Sequence, residues 1–466
     1  MESRFLRLSK KVIVTSALAL MTCASTPAVY AQAGNAQQPA AGQQPAAGGQ
    51  QPAGGTKNWK DRAEYDLYQK ATQTTDPKAR MDVLNQWQDK YPQSDYADLR
   101  DQILVGTLAQ LVAADPSSRP MALTKCEEIL KRDPKNFRAA YYICVWAPAV
   151  GGASPPPDLQ QQVQTAAQTV IDQAPTAFDP AKKPANVSQA DFDKAKVASL
   201  STAHNALAWL ATTKNDKATA ENEYKTSLEA NPDQPNISAL YAKLLVDDKK
   251  IPEGLFEYAR AGQYTGPGPA LPEATRTQLM TYFNNEYKAY HGSADGADQI
   301  LAQAKTQPLP PAGLSITSAQ DLANKAADAT QQRVNSDPAF KIWYIIKQNL
   351  TGDQGPNFFA SSVKGAEIPG DQVPSKTFSG TVISLDPPDA PTKVVVGVED
   401  PTKPDATLTF SKPLPAAALD KVKVGQKIDF SGIADSFTKD PYMLTFGDPQ
   451  ITGVQTTTPV RHGRRR

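Results

Sequence analysis

Two hydrophobic periods divide the chain. From Trp59 to Leu350 apolar residues recur at intervals of three and four, the spacing of one helix face. Tyr65, Leu67, Tyr68 and Ala71 make the first such stripe, and Met81, Leu84 and Trp87 the second. Ile103, Leu104, Leu108 and Leu111 follow, then Ala122, Cys126, Ile129 and Leu130, then Phe137, Ala140, Tyr141 and Cys144. Val163, Ala167, Val170 and Ile171 continue the series. Turn residues separate the stripes at Asp76-Pro77, Tyr91-Pro92, Asp133-Pro134, Ala174-Pro175, Asn215-Asp216-Lys217 and Asn231-Pro232. Proline disfavours a helical residue before it and cannot donate within a helix, so each such site predicts a helix boundary. Further helices are expected over 279–290, 297–304, 319–334 and 339–350.

After Pro374 the period drops to two. Strands are predicted over 378–385, 393–399, 406–411, 426–434 and 442–446. In the later ones Leu408 and Phe410, Ile428 and Phe430, and Leu444 and Phe446 share faces, with Thr409, Asp429 and Thr445 opposite. The fold class expected is therefore mostly α, an array of five to seven helical hairpins followed by a small all-β domain. The helical body is placed at 58–350, a connector at 351–375 and the β domain at 376–455.

The clearest repeat lies between Ser201 and Ala261. His204, Leu207, Ala208 and Ala211 precede Ala220, Tyr224 and Pro232. Tyr241, Ala242 and Leu245 then precede Gly254, Tyr258 and Ala261. Ala208 and Ala242 are 34 residues apart, as are Tyr224 and Tyr258. Small residues at Ala208 and Ala220 would let two backbones approach, while Leu207, Tyr224 and Leu228 fill the space between. This pattern resembles the tetratricopeptide (TPR) repeat. His204 stands where that family usually has tryptophan, and Ala208 where it has glycine. The resemblance implies a stacked superhelix whose concave face binds a protein or peptide partner. The β segment is similar to an OB-type barrel, with Val424-Gly425-Gln426 entering a strand after a short alanine-rich stretch.

The N-terminus reads as an export signal. Arg4, Arg7, Lys10 and Lys11 precede a short apolar run from Val12 to Met21, and Val29-Tyr30-Ala31 offers small residues for cleavage. The run is well short of the ~20 residues a membrane span needs. The expected location is the periplasm, with secretion, or outer-membrane anchoring through a lipobox-like Cys23, as the other outcomes. Residues 32–57 repeat Gln, Pro, Ala and Gly, and read as a disordered tether. Residues 456–466 end in a basic tail from Arg461 to Arg466.

Charge adds little. Lys plus Arg number 49 and Asp plus Glu 48, so no global field points to nucleic acid or an anionic membrane. Residues 376–454 carry eight Lys and no Arg against ten Asp plus Glu, a net of 8 − 10 = −2. Nucleic-acid barrels need a basic groove with exposed aromatics, and Phe410, Phe430 and Phe446 read as core. The three histidines share no metal-ligand spacing, and no catalytic or cofactor motif is present. Cys126 and Cys144 lie on consecutive helices, so a disulfide is open beside two buried thiols. A non-catalytic binding scaffold is the expectation, and glycan or envelope-polymer binding through the barrel the alternative.

Overall fold

A computed structural model describes residues 57–454. The signal at 1–31, nearly all of the tether at 32–57, Cys23, and the tail at 456–466 with His462 lie outside the described residues. The rest forms two compact units that part between Ala319 and Gln320.

The first unit is helical. Its helices are α1 (Arg62–Gln73), α2 (Pro77–Lys90), α3 (Ala97–Ala114), α4 (Arg119–Arg132), α5 (Phe137–Gly151) and α6 (Pro157–Ala177). They continue with α7 (Gln189–Thr213), α8 (Lys217–Ala230), α9 (Pro235–Asp247), α10 (Ile251–Gln263), α11 (Glu273–His291) and α12 (Ala297–Thr306). Local chemistry starts many of them. Asp61, Asp76, Asn136, Ser188 and Asp216 each cap a helix by accepting a backbone N–H of its first turn. Asn215 takes a left-handed φ of 57° at the α7–α8 turn, a conformation asparagine tolerates better than most residues. Pro175 does not end its helix. α6 runs on to Ala177 with Pro175 in its last turn, where proline removes only one terminal hydrogen bond.

Packing follows chain order. α1 lies on α2, α5 on α6, α7 on α8 and α9 on α10. Ala208, Ala220, Ala242 and Ala261 are fully buried, with Tyr224, Leu245 and Tyr258 nearly so. A methyl group at Gly254 would lie 2.5 Å from a Val246 methyl and 3.1 Å from the Ala242 carbonyl oxygen, so only glycine lets α10 approach α9 this closely. Leu207 is half-buried and Pro232 exposed, two residues beyond the α8 C-terminus. α9, α11 and α12 all pack on α10. As a result every residue from Gly254 to Gly262 is buried.

The second unit begins with α13 (Ala319–Ser336), which has no buried residue, and α14 (Pro338–Thr351). Its strands are β1 (Glu367–Ile368), β2 (Phe378–Asp386), β3 (Lys393–Gly397), β4 (Ala406–Thr409), β5 (Lys427–Lys439) and β6 (Tyr442–Ile451). β2, β3 and β4 form an antiparallel meander. β4 pairs in parallel with β6, β6 with β5, and β5 with β2, which closes a five-stranded barrel. The two-residue β1 adds to the flank of β5. A helical turn at Ala416–Leu419 joins β4 to β5. β5 runs past its predicted end to Lys439, pairing there with the start of β6, and β6 runs past its predicted end to Ile451, pairing with Phe430 to Ile433 of β5.

α14 belongs to the barrel core. The Trp343 indole is fully buried, with ring centroids 5.2 Å from Phe378, 6.2 Å from Tyr442 and 6.4 Å from Phe446. Its hydrophobic run, grouped by period with the helical body, covers the apolar interior of the β unit instead. In the connector region, Phe359 and Val363 join the same core.

Candidate functional site

The first unit contains a cavity of about 170 Å³ where α7 and α9 diverge. α5 packs against α7, whereas α9 packs chiefly on α8 and α10. The gap is walled by Tyr141 and Val145 of α5, Asn205 and Trp209 of α7, and Leu240 of α9. Trp209 is held in place by donating its indole N–H to the Gly152 carbonyl at 2.9 Å. Drug-sized ligands occupy roughly 300–1,000 Å³, so this space suits a single side chain rather than a cofactor.

Asn205, Asn231 and Gln234 of its lining belong to a polar chain that continues to the buried Ser201 and Ser227. Gln234 Nε2 donates to Ser201 Oγ at 2.6 Å and lies 2.9 Å from the Asn231 carbonyl. Ser201 and Ser227 hydroxyls meet at 2.7 Å. Gln234 Oε1 accepts from Asn205 Nδ2 at 2.9 Å. Asn205 Oδ1 is then buried with no hydrogen-bond partner. Leaving a buried acceptor unmet costs about 1–3 kcal/mol, so this atom is the anomaly of the site. Asp233 also lines the cavity and accepts from the Tyr264 hydroxyl at 2.8 Å.

The cavity has little reactive chemistry of its own. Cys144 reaches its wall, and burial pushes the thiol up to about 12, so it stays protonated at neutral pH. Burial likewise raises Tyr224 to about 12. Among the described residues no group of three or more His, Cys, Asp and Glu side chains could hold a metal ion. Cys126 and Cys144 are both free and buried.

Of the repeat residues named from sequence, Tyr224 lines this cavity. Ala208, Ala220, Ala242, Leu245, Gly254, Tyr258 and Ala261 pack helix against helix instead. His204 bridges α7 and α8 through Nδ1, 2.7 Å from Glu223 Oε2. The cavity's own polar residues escaped sequence reading. Their one signal is Asn205 and Trp209 one turn apart on the face beside the repeat alanines.

Two buried charged groups lie elsewhere. In α10, Arg260 donates to Ser238 Oγ at 2.6 Å, to the Gln307 carbonyl at 3.1 Å and to the Pro232 carbonyl. Glu257 beside it is fully buried, and desolvation raises its carboxyl to about 8 against the pull of Arg260. In the β unit, Asp405 accepts the Val398 and Glu399 backbone N–H groups at 2.7 and 2.9 Å. Burial nonetheless lifts it to about 6. Lys347 of α14 pairs with Glu399, and Arg333 of α13 donates to the Val398 carbonyl at 2.8 Å.

No family model, curated protein or solved structure matches the chain. Among the described residues no helix is long and apolar enough to cross a membrane.

Proposed function

We propose that this chain is a non-catalytic, exported binding or assembly scaffold, in which a TPR-type superhelix engages a protein or peptide partner along its concave face. The observation that carries the reading is the side-chain-sized cavity of about 170 Å³ between α5, α7 and α9. α5, α7 and α9 are the first helices of the successive pairs α5–α6, α7–α8 and α9–α10. The 34-residue spacing of Ala208 to Ala242 and of Tyr224 to Tyr258 supports the TPR assignment. Export, with the periplasm as destination, rests on the basic and apolar pattern from Arg4 to Ala31.

The second unit is read as an OB-type barrel. Its support is a meander of three strands, a parallel pairing of the third with the fifth, and a helical turn between the third and fourth. The competing function, glycan binding through this barrel, calls for exposed aromatic residues. Phe410, Phe430, Phe446 and Trp343 are interior and Tyr344 is half-buried, which leaves no exposed strip among them, so the helical array is preferred as the binding surface.

A photoreactive benzoylphenylalanine in place of Asn236, at the cavity wall, tests this. The full chain is irradiated in extract from its own cell envelope, beside a chain labelled at Lys225 on α8. A discrete protein adduct at position 236 and none at 225 is expected. Equal adducts at both positions, or retention of glycan alone, would refute the scaffold reading.

A further inference from the structure

A second cavity in the helical unit, of about 430 Å³, opens where the α4–α5 turn meets the segment between α6 and α7. Its size falls within the roughly 300–1,000 Å³ of small-molecule sites. Part of the lining is apolar. Phe137, Phe178 and Phe192 pack ring against ring, with centroids 5.6 and 5.2 Å apart, beside the half-buried Ala177 and Pro184. Phe137 stands on α5, Ala177 on α6 and Phe192 on α7, so the packing of three helices fixes this wall.

The charge of the lining is one-sided. Lys135, Arg138 and Lys182 face Asp133 alone, a net of 3 − 1 = +2. The whole chain balances 49 Lys plus Arg against 48 Asp plus Glu, so the cavity departs from its surroundings. Other cations of the same turn are neutralised, Lys131 by Glu127 at 2.8 Å and Arg132 by Asp101 at 2.9 Å. Lys182 Nζ donates to the Thr176 carbonyl at 3.0 Å, a contact that orients the ammonium group without cancelling its charge. Asp133 accepts the Lys135 backbone N–H and the Asn136 amide at 3.2 Å each, which turns its carboxylate onto its own loop. Gathering three cations at one opening costs Coulomb energy that an anion placed there recovers.

We infer that this cavity binds a small organic anion, a carboxylate carried by a short stem on an apolar body about the size of a phenyl ring. The apolar body lies against the phenylalanine wall and Pro184. The carboxylate meets Arg138, whose planar fork matches two carboxylate oxygens, with Lys135 and Lys182 adding charge. Free phosphate would satisfy the cations and leave the apolar wall wet, whereas a neutral aromatic would do the reverse. The mixed lining therefore selects for both features in one molecule. This site is separate from the cavity between α5, α7 and α9, and the inference does not depend on the scaffold reading.

The test is isothermal titration of the full chain at low ionic strength with four probes: 3-phenylpropanoate, 3-phenylpropanamide, acetate and inorganic phosphate. The phenylpropanoate is expected to bind saturably, at least about 10-fold more tightly than each of the other three. A diazirine-substituted benzoate, photolysed on the same protein, should label peptides covering residues 133–138 and 177–192, and 3-phenylpropanoate should suppress that labelling. Arg138→Gln combined with Lys182→Gln should weaken phenylpropanoate binding about 10-fold. Arg138→Lys combined with unaltered Lys182 should recover part of it, which separates lost charge from a damaged fold. Equal affinity for the amide would overturn the selection for an anion. Equal affinity for acetate or phosphate would overturn the role of the apolar wall. Absence of saturable binding, or labelling confined to other peptides, would overturn the site itself.

Discussion

Glu257 gives the helical unit an alkaline weakness whose size and sign can be worked out. The carboxyl is fully buried in α10. In the unfolded chain it titrates near 4.5, and in the folded unit burial raises it to about 8. Below 4.5 both states hold the proton and the group costs nothing. Between the two values only the folded state holds it, so stability falls as pH rises, and above about 8 the full penalty applies. At about 1.4 kcal/mol per pH unit the loss reaches roughly 3 to 5 kcal/mol. Desolvation outweighs Arg260 and the Ser238 hydroxyl, which both act in the opposite direction. Glu257→Gln mimics the protonated acid at every pH. Urea unfolding followed by far-ultraviolet circular dichroism, from pH 5 to pH 9, should show the unmodified protein losing ground to the variant steadily up to about pH 8. Parallel profiles would refute the argument, because the difference between the two proteins isolates this one carboxyl.

Three further outcomes follow from the packing. Gly254→Ala should destabilise the helical unit by about 1–2 kcal/mol in the same urea assay, the steric cost at Val246 and Ala242 exceeding the ~1 kcal/mol gain in helix propensity; a stabilised variant would show that α9 and α10 can separate. Trp343→Ala should cost about 3–5 kcal/mol and lower amide-exchange protection in β2 and β6 while leaving α7 to α10 unchanged; unaltered protection in β2 and β6 would remove the indole from the barrel core. Cys126 and Cys144 should resist alkylation in the folded protein and react once it is unfolded, since burial raises both thiols. Mass spectrometry of the two peptides reads this directly, and rapid labelling of either in the folded state would contradict its burial.

What could be read from sequence was local. Asn215-Asp216 marked a turn because asparagine accepts a left-handed backbone and aspartate caps the next helix. Ala208, Ala220 and Gly254 marked helix contacts because their size is legible without a structure. The barrel strands showed because one face is apolar and the other polar. What stayed hidden depended on distant partners. Glu257 and Arg260, three apart, look like a solvated surface pair, and only the wrapping of α10 by three helices buries them. Asn205 and Gln234 are 29 residues apart, so nothing near either one announces the shared chain. Trp343 sits on a helix with the same period as those before it, and period does not say which core a helix fills.

The position of Trp343 also decides what could be moved between proteins. A recombination or cloning boundary drawn where the strands begin would sever the indole from Phe378, Tyr442 and Phe446 and leave those rings facing water. The portable module therefore includes α14. Lys347 and Arg333 tie α14 and α13 to the Val398–Glu399 backbone and side chains, so a junction that respects the physics falls before these helices. Any exchange of barrels among repeat proteins that kept the module intact would carry along a helical leader with the outward look of one more repeat.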